Sequence, residues 1–315
     1  MLNHEKQIEE YESTIKRLKD QQAVGGVWSD EEIVKLEKKL HNLKQKVYSE
    51  LTAWERVEIS RHPNRPRSID YIENLCDRFE ELFGDRLFQD DAAIIGGLGT
   101  IGDQKFVIIA QEKGNDTDSR IARNFGMPHP EGYRKALRLM KLAEKFKLPV
   151  LALLDTPGAH PGLDGEERGQ GSAIAVNLLE IPRLKTPMIT LLIGEGCSGG
   201  ALAMGMGDII GMLEHAYYSV ISPEGCATIL WKDSSKKELV AESLKMHAEH
   251  LIEMGIIDTI IDEPLGGAHH DPAATYASVK EFILDSVKKL TPIPIPDLLE
   301  MRYQKYRKLG ETASV

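Results

Sequence analysis

Residues 189–206 read Ile-Thr-Leu-Leu-Ile-Gly-Glu-Gly-Cys-Ser-Gly-Gly-Ala-Leu-Ala-Met-Gly-Met. An apolar β-type run, 189–193, enters a glycine-dense turn, 194–200, and a small-residue helix expected from Ala201. Without Cβ atoms such a turn lets backbone N–H groups approach a ligand closely. The following helix would aim its positive end at the same point. That arrangement suits a developing negative charge, so the turn is a candidate oxyanion hole. The same letters hold Gly196-Cys-Ser198-Gly-Gly200, which fits the nucleophile elbow of serine hydrolases.

The remaining composition narrows the class. At 315 residues the chain is one large domain or two small ones. A net charge of −10 argues against a nucleic-acid-binding surface. No apolar run reaches the ~20 residues of a membrane helix. The polar start, Met1-Leu-Asn-His-Glu-Lys-Gln, is unlike a signal peptide. Cys76, Cys197 and Cys226 are too scattered for a disulfide framework or a zinc ribbon, which fits reduced thiols in a cytoplasmic protein.

Along the chain, residues 1–50 are charged and helical in period. Ile8, Tyr11, Ile15 and Leu18 form one stripe; Ile33, Leu36, Leu40, Leu43 and Val47 form a second. Gly25-Gly26 separates them, and Ser29 to Glu32 reads as a capping box, so a helical hairpin is expected. Arg61-His-Pro-Asn-Arg-Pro-Arg67 reads as a rigid basic connector. A helix is expected next, burying Ile69, Ile72, Leu75, Phe79 and Leu82 and ending at Gly84. Strands are expected over 92–101, 106–111, 150–154, 188–193 and 217–221. Helices are expected over 132–146, 166–179, 201–206, 227–231 and 237–254. This alternation predicts an α/β core. Residues 291–296 read as an extended proline strap before a last helix over 297–309.

Three times a strand meets a turn of small residues and then a helix, which predicts a spiral of strand–turn–helix units with their turns close together. Neither a G-x-G-x-x-G after the first strand nor a P-loop is present. The turn at Leu154-Asp-Thr-Pro-Gly-Ala-His-Pro-Gly162 offers Gly158 and Ala159 amides, and two such turns at adjacent strand ends can converge on one oxygen. Another turn, Gly126 to Tyr133, leads into a helix bearing Arg134, Lys135, Arg138 and Lys141. That helix reads as a solvated face or as a dock for an acidic partner or phosphate. The hydrolase alternative would use Ser198 with Asp258 or Asp262 and His269 or His270, in the chain order that the hydrolase fold uses. Against it, no oxyanion loop of the His-Gly-Gly-Gly type precedes the serine. His269-His270 carry no metal-ligand spacing, so no metal site is expected.

Gly194 to Asp208 resembles the second signature turn of the crotonase superfamily. A longer match extends through Arg61 to Ile72, Asn124 to Met140, Asp155 to Gly162, Glu166 to Gln170 and Ser219 to Ala227. Those motifs are similar to the carboxyltransferase α subunits of bacterial acetyl-CoA carboxylase. The resemblance implies a crotonase-like domain over 51–295, an N-terminal hairpin over 1–50 and a C-terminal helical tail over 296–315. It also implies transfer of a carboxyl group from carboxybiotin, on a biotin carboxyl carrier protein, to acetyl-CoA, giving malonyl-CoA for fatty acid synthesis.

The implied partners are a β subunit in an α2β2 assembly, the carrier protein and, in the ATP-dependent complex, biotin carboxylase. The implied chain binds no cofactor itself: zinc sits in the β subunit and biotin arrives on the carrier. Carboxybiotin can release CO2 to leave an anionic urea that deprotonates acetyl-CoA, and the enolate attacks CO2. Neither step demands a protein base. By motif position Gly199 and Gly200 would supply amides to the biotin ureido oxygen, with Gly158, Ala159, Gly196 and Ser198 lining the substrate pocket. Cys197 stands where the family pattern expects glycine, and a negative φ there would preserve the turn.

Overall fold

The charged N-terminal segment folds as two helices, α1 (Asn3–Ala23) and α2 (Asp30–Ser49). The structure is a computed structural model that describes residues 3–23 and 29–311. Gly25-Gly26 lies outside the described residues. Ser29 and Glu32 form the expected capping box on α2. Ile8, Ile15, Leu18 and Ile33 are buried, whereas Tyr11 turns outward at 54 % exposure. Lys19–Glu37 and Lys44–Glu12 pairs tie the helices together. Ile8 and Tyr48 pack on Ile59 of α3 (Ala53–Ser60), which joins the hairpin to the body.

Helix α4 (Ser68–Leu75) stops short, and β1 (Arg78–Glu81) replaces the rest of the expected helix to Gly84. Strands β2 (Ile94–Ile101) and β3 (Gln104–Gln111) form a hairpin. Helices α5 (Thr117–Ala122) and α6 (Pro130–Phe146) lead to β4 (Val150–Thr156). Helices α7 (Leu163–Glu167) and α8 (Gln170–Glu180) lead to β5 (Met188–Cys197). Helix α9 (Ser198–Leu202) comes next, then β6 (Ile209–Leu213) and β7 (Tyr217–Ser219). Helices α10 (Pro223–Trp231), α11 (Lys237–Leu244) and α12 (Ala248–Glu253) precede β8 (Thr259–Ile261). Helices α13 (Pro272–Leu290) and α14 (Ile295–Arg307) end the described chain.

One sheet runs β1-β2-β3-β4-β5-β6-β8. Its first two pairings are antiparallel and the others parallel. Every residue of β5 is buried, as a central parallel strand requires. β5 is shared: Ile189–Leu192 pairs with β6, while Glu195–Cys197 pairs with β7. The sheet therefore forks just below the turn at Ser198, and strand, turn and helix stack in the expected spiral.

The departures have local causes. Phe79 and Leu82 continue the helical spacing of α4, but β1 supplies partners to β2, and that pairing wins over the local pattern. The expected helix over 166–179 breaks at Gly169, which has φ 81°. The one over 237–254 breaks at Lys245, φ 51°, so that Met246 can accept the Tyr218 N–H. The helix expected from Ala201 begins at Ser198 and runs only five residues, so the glycines lie within it and its dipole is slight. The proline strap shrinks to 292–294, because Ile295 and Pro296 open α14, where a proline is well placed.

The basic segments also turn inward. On α6, Arg134 pairs with Asp85, Lys135 is fully buried against Asp90 and the Ile94 carbonyl, Arg138 donates to the Gly84 carbonyl, and Lys141 pairs with Glu180. The cations of this helix are thus paired within the chain, with Lys135 fully buried and Lys141 still half exposed. In the connector, Arg65 is buried, makes a two-pronged contact with Glu263 at 2.7 and 2.6 Å, and donates to the Ile193 carbonyl. On α14, buried Arg302 grips Asp208 and the carbonyls of Pro182, Leu184 and Thr186.

Burial would raise the Glu263 carboxyl, but the Arg65 charge outweighs it and holds the group near 2, below its ordinary 4.5. The stability it contributes is complete above about pH 4.5 and is lost as pH falls toward 2. Glu263→Gln strands the Arg65 charge and should cost about 3–5 kcal/mol in denaturant unfolding at pH 7. The variant should also lose less further stability than the parent between pH 4.5 and 2. An unchanged unfolding midpoint would refute this account of the connector.

Candidate active site

The two glycine-dense turns meet at the carboxyl ends of β4 and β5. A Cβ on Gly200 would lie 2.5 Å from the Ala159 nitrogen and 2.6 Å from the Gly158 carbonyl carbon, so only glycine allows this contact. At Gly199 the same test finds only Ile174, at 3.6 Å, an ordinary packing distance. The Gly158 N–H is bonded to Thr156 Oγ1 at 3.1 Å. The N–H groups of Gly199, Gly200 and Ala159 make no hydrogen bond among the described residues. Uncommitted donors thus gather where the turns touch.

Behind them lies a buried ionic clamp. Lys113, just past β3, bridges Asp155 of β4 at 2.6 Å and Glu195 of β5. Asp155 also accepts the Glu195 N–H at 2.9 Å, across an irregularity in the β4–β5 register. A Cβ on Gly194 would come within 2.5 Å of the Asp155 carboxylate, so that glycine makes room for the clamp. Glu195 receives Arg61 and the Tyr217 hydroxyl as well. Burial would raise its carboxyl, but Lys113 and Arg61 outweigh burial and bring it to about 2.

The predicted residues fall in different places. Gly196 is buried inside β5, paired to Thr156 and Tyr218. Cys197 has φ −108°, the negative value that preserves the turn, and burial followed by the Glu195 charge pushes its thiol up to about 12. Ser198 is exposed at φ 57°, the left-handed region. It shares with Gly199 the rim of a cavity of about 750 Å³ whose apolar walls include Leu202, Tyr218, Val220, Leu251 and Met254.

The hydrolase set is not assembled. Asp258 holds the Ile210 N–H and Lys305 near the start of β6, whereas Ser198 follows the far end of the neighbouring parallel strand β5. His269 stacks on His62 at 3.8 Å. Among the described residues, His129, His160 and Asp164 have metal-ligand spacing. Sequence reading did not single out that trio. Asn124 and Asp164 contact the two ring nitrogens of His160 at 2.8 Å each, and Arg168 reaches Asp164 at 3.2 Å. The bond from His160, aided by Arg168, outweighs the opposing effect of burial and leaves the Asp164 carboxyl at about 2. Lys113, Asp155 and Glu195 also escaped sequence reading as a set, because no spacing announces a contact spanning three strands.

Comparison with known proteins places this geometry. The family model described as acetyl co-enzyme A carboxylase carboxyltransferase-like matches residues 1–310. The acetyl-coenzyme A carboxylase carboxyl transferase subunit alpha of Chlamydia caviae is 60 % identical over 316 residues, covering 100 % of this chain and 98 % of its own. The protein of that name from Protochlamydia amoebophila is 61 % identical over 311 residues, covering 99 % and 98 %. Among solved structures, transcarboxylase 12S aligns with a TM-score of 0.58 at 16 % identity, over 81 % of this chain and 46 % of its own. A chain of a Pseudomonas malonate decarboxylase hetero-tetramer with coenzyme A aligns at 0.54 and 17 % identity, over 68 % and 85 %. At such identity these structures speak for the fold alone, and the fold is the crotonase-like α/β spiral. By its full-length match, the chain belongs to the acetyl co-enzyme A carboxylase carboxyltransferase family.

Proposed function

We propose that this chain is the alpha subunit of an acetyl-CoA carboxylase carboxyltransferase. It moves a carboxyl group from carboxybiotin, presented by a carrier protein, to acetyl-CoA, yielding malonyl-CoA for fatty acid synthesis in the cytoplasm. The observation that carries the reading is the pair of unspent N–H groups at Gly199 and Gly200, with Gly200 pressed against the Gly158–Ala159 turn and Gly199 lining a large apolar cavity. Carboxybiotin supplies the carboxyl group, and its ureido oxygen takes up negative charge as that group leaves. Amides fixed beforehand stabilise such charge without reorganising, and each aimed donor is worth about 3 kcal/mol to a transition state. Gly158 and Ala159 close the pocket from the β4 side. Ser198 shapes the turn and sits on the substrate side without acting as a nucleophile.

The site is completed by another chain. Val220 and Met254, on the cavity wall, are 79 % and 50 % exposed, and Ile229 and Leu230 of neighbouring α10 are 70 % and 64 % exposed. Apolar surface of that kind at a cavity mouth marks a protein interface. A β subunit carrying the zinc site and most of the acetyl-CoA contacts, in an α2β2 assembly, fits it. Biotin carboxylase would recharge the carrier in the ATP-dependent complex.

Malonyl-CoA formation from carboxybiotin should therefore require both chains, and activity from this chain alone would refute the proposal. With the partner present, Gly200→Ala should drive the turns apart and lower kcat about 10²–10³-fold, the cost of losing an oxyanion donor. Gly199→Ala, which has room and keeps its N–H, should stay within about tenfold of the parent, whereas Gly199→Pro should match Gly200→Ala. Ser198→Ala should remain active and fluorophosphonate should leave Ser198 unlabelled; the opposite results would restore the hydrolase reading.

A further inference from the structure

A second, smaller cavity of about 160 Å³ opens on the other side of the β5 end. It is lined by Arg61, Arg67, Lys113, Arg120, Phe125 and Glu195 and shares no lining residue with the apolar cavity at Gly199. Most of its charge is matched. Lys113 lies between Asp155 and Glu195, and Arg61 between Glu195 and Glu224. The cations not neutralised in this way are Arg67 and Arg120. Arg67 is only 3 % exposed and donates one terminal nitrogen to Asp155 at 3.3 Å and the other to the His62 carbonyl at 3.4 Å, yet its buried Nε has no hydrogen-bond partner. Arg120 donates its Nε to the Gly114 carbonyl at 3.3 Å, and its two terminal nitrogens make no hydrogen bond among the described residues.

A buried guanidinium N–H without an acceptor costs free energy, so native structures nearly always supply one. Here Asp155, Glu195 and Glu224 pair with Arg61, Arg67 and Lys113, while Arg120 has no carboxylate partner among the described residues. The volume equals about five water molecules at ~30 Å³ each, room for an anion of four or five heavy atoms. Nε–H and a terminal N–H of guanidinium form a fork matched to two oxygens of a planar carboxylate. Phe125, at φ 56°, adds an aromatic wall to the cavity.

We propose that this cavity is a binding site for a small planar oxyanion of the carboxylate type, bicarbonate or a short organic acid, held by Arg67 and Arg120. The site is separate from the amide donors at Gly199 and Gly200, and its occupancy does not depend on turnover.

The test is calorimetric titration of the full-length chain at pH 8 with bicarbonate, acetate, phosphate and chloride at constant ionic strength. Saturable 1:1 binding of bicarbonate or acetate, at least tenfold tighter than chloride and tighter than phosphate, is the expected result. Binding of bicarbonate alone identifies an inorganic ligand; binding of acetate identifies carboxylate recognition. Arg120→Gln, whose half-buried side chain makes only the Gly114 contact, should weaken binding at least fivefold with an unchanged melting temperature. Arg67→Lys, which keeps the charge but removes the Nε–H, should do the same; if it fails to fold, Arg120→Gln decides. No saturable binding, equal binding of chloride, or affinity unchanged in Arg120→Gln overturns the proposal.

Discussion

Lys113 between Asp155 and Glu195 is the contact on which the rest of the site depends. A lysine almost wholly out of water is tolerable only when carboxylates surround it, and these two come from adjacent parallel strands. The clamp therefore fixes how far β4 and β5 advance relative to one another. Register matters unusually here, because a slip of one residue sends every side chain to the opposite face. With the strand ends locked, Gly200 is delivered against Gly158 and Ala159 at a separation that no side chain would survive. The donors at the turn are positioned by charge pairing several residues earlier.

The same logic runs through the connector at 61–67. Arg61, Arg65 and Arg67 all enter the body, toward Glu195, Glu263 and Asp155. Buried ion pairs add little net stability over apolar packing, but breaking one partner is costly, so they specify arrangement more than they strengthen it. Three such pairs along one short segment hold α3 and α4 over the carboxyl edge of the sheet.

What the sequence made legible follows from this division. The apolar run at 188–193 and the capping box at Ser29 are local signals, and each appears where it was read, whereas the glycine stretch read as a turn over 194–200 is the end of β5, to Cys197, followed directly by α9 from Ser198. The helix expected to reach Gly84 failed because Phe79 and Leu82 satisfy helical spacing by coincidence, while β2 needed an edge partner from elsewhere in the chain. The cations of α6 read as a solvated face because charge alone does not reveal that Asp85, Asp90 and Glu180 lie within reach. Family resemblance located the turn glycines. The contact of Gly200 with Ala159 is a long-range fact, and so is the clamp beneath it.

The grip of Arg302 on Asp208 has a consequence for the order of assembly. Asp208 stands at the entry to β6, and its partner lies 94 residues further along the chain. The carbonyls of Pro182, Leu184 and Thr186 at the approach to β5 wait for the same side chain. During synthesis the central strands emerge long before the guanidinium that ties them down. The nascent chain must therefore carry those oxygens hydrated or loosely paired until α14 has been made.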